Sequence, residues 1–144
     1  MTARKPLVLV GGAPAQLPAG DTLENTVRTD ISQTFTAPQR AAYATLTDAA
    51  AITLNLATAL NFTVTLAGNR TMEAPSTPVA GQSGTIEIHQ DATGGRTLAW
   101  NAAWKWEGGA PTLSTAANAV DHVGYLVESD GATVVAWMGV KGRA

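Results

Sequence analysis

Apolar and polar residues alternate with a period of two over most of the chain beyond residue 42. Ile52, Leu54 and Leu56 alternate with Thr53 and Asn55; Phe62, Val64 and Leu66 with Thr63 and Thr65; Ile86 and Ile88 with Thr85, Glu87 and His89. This is the spacing of a half-buried β-strand, whose successive side chains point to opposite faces. Tyr43 to Leu46, Thr71 to Ala74 and Val120 to Glu128 read as further strands. Thr133 to Val140 differs: Val134, Ala136, Met138 and Val140 fall on one face, Val135 and Trp137 on the other. A strand apolar on both faces belongs at the centre of a sheet or at a subunit interface.

Turn chemistry separates these runs. Asp91-Ala92-Thr93-Gly94-Gly95 combines a carboxylate able to bond its own downstream backbone with two glycines suited to positive φ. It predicts a hairpin between Thr85–His89 and Thr97–Trp100. Trp100, Trp104 and Trp106 cluster beside it, so the core is expected there. Ala67-Gly68-Asn69-Arg70, Pro75 to Gly81, Glu107 to Pro111 and Ser129-Asp130-Gly131 are the other turns. Eight to ten short strands with little helix predict an all-β chain, a jelly-roll-like antiparallel β-sandwich. Neither internal repeats nor heptads are evident.

The first 24 residues read as an extended N-terminal arm, and residues 25–144 as the sandwich. Within the arm Leu7, Val8, Leu9 and Val10 form a short apolar strand broken by Gly11-Gly12. An isolated strand cannot bury itself, so these four residues are expected to dock on a sheet edge, of this chain or of a neighbour. Gln33 to Thr36 reads as extended, and Pro38 as the start of a short helical turn.

Composition narrows the function classes. A chain of 144 residues fits one domain with a real core. Charged residues are 14%, against about a quarter in average proteins, so much of the surface is expected to be covered by other subunits. A net charge of −2 with no basic block gives no nucleic-acid footprint. The absence of Cys excludes disulfides and thiolate chemistry, and no apolar run approaches the length of a membrane span.

Catalytic constellations are scarce. His89 and His122 are the only histidines. His89-Gln90-Asp91 offers a metal or acid–base pair, but His89 lies on the polar side of its strand, and a solvated or interface histidine is the plainer reading. Asp121-His122 reads as a polar strand edge. No serine sits in a nucleophile elbow and no phosphate-binding loop is present. Glu73, Glu87 and Glu107 form no evident glycosidase pair. Asp91 and Asp130 sit in turns that need no calcium ion. The chain is expected to be no enzyme and to carry no cofactor or metal. Trp100 and Trp104 read as core; Trp106, between Lys105 and Glu107, is the tryptophan expected to be exposed and able to stack on a sugar ring.

Several segments together resemble a β-domain of tail-fibre and related virion proteins of tailed bacteriophages. They are Leu66-Ala67-Gly68-Asn69-Arg70-Thr71, Gly81 to Ile86, Gln90 to Leu98, Trp104-Lys105-Trp106, Gly109 to Ser114 and Asp121. Pro6 to Val10 with Gln16 to Leu23 resembles the segment preceding such domains, and the likeness spans roughly residues 5–140. The resemblance implies a non-enzymatic virion structural protein, made in the host cytoplasm, acting as head decoration, fibre or tail accessory subunit. It implies a homotrimer bound to other virion proteins; the two-faced strand places Val135 and Trp137 in the shared contact, with burial beneath the N-terminal arm of the same chain as the competing expectation. The alternative is a receptor module binding a host-surface glycan through Trp106.

Overall fold

The computed structural model describes residues 7–10, 13–16 and 40–143. The chain divides into two compact units, residues 1–39 and 40–144. In the first, Leu7–Val10 (β1) is a strand, as its apolar run predicts, and pairs antiparallel with Ala13–Gln16 (β2). The expected domain boundary at residue 24, the extended segment Gln33–Thr36 and the turn at Pro38 lie outside the described residues.

The second unit holds Tyr43–Thr45 (β3), Ala51–Ile52 (β4), Asn61–Leu66 (β5), Arg70–Met72 (β6), Ser83–Gln90 (β7), Leu98–Trp100 (β8), Trp104–Trp106 (β9), Val120–Val127 (β10) and Val134–Met138 (β11). The described residues contain strands and no helix, as the sequence implies. They form two sheets, ordered β3-β5-β7-β10-β11-β9 and β4-β6-β8. From β3 to β8 the chain visits the sheets alternately, and neighbours within each are parallel. Ala44 lies beside Phe62 and Phe62 beside Ile86; Ile52 lies beside Met72 and Met72 beside Trp100. A parallel bridge joins Asn55 to Ser76. The chain thus winds as three stacked coils.

The pairing is therefore mixed, where the alternation suggested a wholly antiparallel jelly roll. Alternation reports which face is buried and is blind to strand direction. The expected hairpin across Asp91–Gly95 is instead a corner: β7 stays in the large sheet, and β8 crosses to pair with β6. Beyond the coils the chain does reverse. β10 runs antiparallel to β7, and β11 returns from it through Ser129–Gly131 as predicted. Inward residues of both sheets make one core, including Ile52, Phe62, Val64, Leu66, Met72, Ile86, Ile88, Trp104, Val123, Tyr125 and Val134.

Polar side chains hold the corners. Asp48 in the first coil accepts two hydrogen bonds from Arg70 in the second, at 2.8 and 2.5 Å. Asn69 accepts from the Thr97 amide of the third coil. Buried Gln90 closes the next corner by bonding both the amide and the carbonyl of Arg96. Asp91 accepts from the Thr93 and Gly94 amides and pairs with Arg96 at 2.7 Å. Asp130 accepts from the Ala132 and Thr133 amides and the Thr133 hydroxyl. The Asp91 and Asp130 carboxylates are thus both hydrogen-bonded within their own turns. Gly94 and Gly95 take φ of 74° and 72°, as the sequence suggested. Gly94 is also tightly packed, since a Cβ there would lie 2.5 Å from the Thr115 carbonyl oxygen.

Two predictions follow from these corners. Gly94→Val combines left-handed backbone strain with a clash and should cost about 2–4 kcal/mol. Gly95→Val has open space around its Cβ and should cost about 1–2 kcal/mol from strain alone. Urea titration of both variants checks the order; equal losses would remove the Thr115 contact from the account. The second concerns pH. The Arg70 hydrogen bond holds the Asp48 carboxyl below its usual range, the Arg96 hydrogen bond does so for Asp91, and the Thr133 hydroxyl brings Asp130 to about 2. Depressed folded-state values mean stability that is present above the unfolded carboxylate range near 3.8 and lost as pH falls below it. Burial raises Tyr125 to about 12, so its stabilising share is intact below about pH 10 and lost between about pH 10 and 12. The melting temperature should be level from pH 5 to 9 and fall on both sides; a maximum below pH 4 would contradict these ties.

Candidate functional site

The large sheet has one face in the core and one face outward. Register places Tyr43, Asn61, Thr85, Gly124 and Trp137 in one row across that outward face. Leu126 and Val135 pair beside it, and Thr63, Glu87 and His122 form the row on its other side. The Trp137 indole lies directly over Gly124, where any Cβ would collide with its ring. Close approach to bare backbone lets a large aromatic lie along the sheet. Trp137 nevertheless keeps 51% of its surface exposed, Tyr43 50% and Leu126 40%, while Val135 is half-buried. The expected two-faced character of β11 is thus present, with Val134 and Ala136 in the core and Val135 and Trp137 outside.

Both histidines are on this face, and both approach one carboxylate. Glu87 lies 3.6 Å from His89 Nε2 and 3.8 Å from His122 Nδ1. The neighbours proposed from sequence are not the structural partners. Asp91 turns away to Arg96, and Asp121 points inward beside the outward His122. The signal for the observed trio is the β7–β10 register, which sets His122 opposite Glu87. No group of three or more His, Cys, Asp or Glu side chains suited to a metal occurs among the described residues.

Asp121 is only 1% exposed, in place of the polar strand edge that its sequence suggests. It accepts from the Ser114 amide and hydroxyl and the Gly142 amide, each at 2.7 Å. It therefore pins the loop before β10 and the segment after β11 to the sheet.

The tryptophans form a second feature. Trp104 is buried, donates to the Glu73 carbonyl at 2.9 Å and meets Tyr125 edge to face. Trp100 lies against Trp104 and Trp106 at centroid distances of 5.1 and 4.7 Å, both near-perpendicular. Edge-to-face contacts suit the ring quadrupoles. Trp106 is half-buried against the core, like Trp100; the exposed tryptophan is Trp137 instead. Lys105 takes the outward position of β9, which turns Trp106 inward. Two clefts flank Pro111. One, of about 310 Å³, is lined by Arg96, Leu98, Trp100, Thr112 and Leu113; the other, of about 230 Å³, by Trp106, Glu107, Trp137 and Met138. Leu7 to Val10, expected to dock, lie in the other unit, in β1.

Residues 47–127, more than half of the chain, match the family model described as "Putative phage tail fibre C-terminal domain". That range runs from the first corner through the coils to the end of β10, so it covers the corner motifs Gly68–Arg70 and Asp91–Arg96 and the tryptophan cluster. No curated protein and no solved structure matches the chain. Because that match spans more than half of the sequence, the chain belongs to the phage tail fibre C-terminal domain family.

Proposed function

We propose that the protein is a non-enzymatic structural subunit of a tailed-phage particle. It assembles as a homotrimer through the outward face of its large sheet and docks on other virion proteins through Leu7–Val10. The observation that carries this reading is the row ending in Trp137: a broad sheet face with few charges whose largest aromatic is half exposed. A fully buried aromatic removes 150–250 Å² from water, so covering the exposed half of Trp137 with the rest of Val135 buries on the order of 100–150 Å². At ~25 cal/mol per Å² this gives about 3–4 kcal/mol per chain, which offsets part of the cost of association. Leu126 and Tyr43 on the same face extend the apolar contact. A second reading, a host-glycan receptor module, is supported by the clefts beside Trp100 and Trp106.

Sedimentation equilibrium tests the assembly. Wild-type protein should sediment as a trimer at micromolar concentration, and Trp137→Glu, which sets a charge in the contact, should shift it to monomer with an unchanged circular dichroism spectrum. A wild-type monomer would overturn solution trimerisation; a trimer indifferent to Trp137→Glu would move the interface elsewhere. Removal of residues 1–20 should leave a folded domain that no longer enters particles in a complementation assay. Normal incorporation would exclude docking through Leu7–Val10.

A further inference from the structure

The two clefts meet at Pro111, in the loop from Glu107 to Pro111; Trp100 lines one and Trp106 the other. Both indole Nε1 atoms are shielded from solvent and have no hydrogen-bond partner among the described residues, whereas Trp104 has the Glu73 carbonyl. A buried donor without an acceptor is costly and seldom retained without a use. The loop above is exposed and little packed: Gly108 and Gly109 take φ of 74° and 100°, no neighbouring atom would meet a Cβ at either, and residues 107–110 are exposed.

We propose that the Glu107–Pro111 loop is a strap over a saccharide-binding floor made by Trp100 and Trp106. This rests on the receptor reading and assigns it a place. When the strap lifts, the two clefts join across the tryptophan pair. The ligand class follows from the lining. Two N–H donors ask for acceptor oxygens, aromatic rings ask for an apolar C–H face, and the hydroxyls of Thr97 and Thr112 add neutral polar contacts. The charged lining residues are two, Arg96, which is paired with Asp91, and Glu107 on the strap itself, so they carry no net charge of one sign. A neutral hexose unit of a surface polysaccharide carries all of these features.

The test uses the full chain, a bacterial surface-glycan array and ¹H–¹⁵N spectra of its four indole groups. A glycan that binds should shift the Trp100 and Trp106 indole signals and leave Trp104 in place. Trp100→Phe and Trp106→Phe keep a ring and delete the idle donor, so each should keep or raise the melting temperature while weakening that glycan at least about tenfold. Binding with both indoles unmoved, and with both variants equal to wild type, would overturn this site and leave the receptor reading intact. Binding of no glycan on the array would overturn the receptor reading together with the site. If either variant fails to fold, the wild-type indole shifts decide alone.

Discussion

Backbone pairing between successive coils is the constraint on which the rest depends. The amide and carbonyl groups of β5 must be satisfied on both sides, and its partners are the coil before and the coil after it. That stacking fixes the inward set Phe62, Val64 and Leu66 against Ile86 and Ile88, and with equal force it fixes the outward set. Threonines, Asn61, Glu87, both histidines and Trp137 share a face because their register partners do. Among the described residues of this unit, no coil folds back over that face, and its aromatic row stays exposed.

The ends of the stack are managed differently. β10 caps the third coil of the large sheet by running antiparallel to β7, and Asp121 ties the flanking segments to it. The small sheet ends at β8, beside the loop that walls the tryptophan floor. The proposed assembly face and the proposed saccharide floor thus meet at β9 and β11: Trp137 belongs to the face and also lines the cleft of Trp106.

Much of the fold was legible in the residues. Period-two alternation located β5, β7, β10 and β11, and Gly94-Gly95 showed their positive φ. Direction and partnership were not legible, because Phe62 and Ile86 pair across a coil whose length differs from that between Ala44 and Phe62. Unequal coils blur the repeat that would have announced the winding, and they make Asp91–Gly95 look like a hairpin. The outward placement of Trp137 could be read from its strand; the inward placement of Trp106 could not, since Trp104-Lys105-Trp106 lacks the flanking alternation that sets a face. Glu87 and His122 meet only through the β7–β10 register, which local sequence does not contain.

The central claim is that the outward face of the large sheet is covered by copies of the same chain. A three-dimensional reconstruction of the particle-bound protein by electron cryomicroscopy tests it most directly. The account predicts three-fold density with Trp137, Val135 and Leu126 turned toward the axis and Lys105 at the margin of the contact. A map with this face open to solvent, and a different surface at the axis, would contradict it.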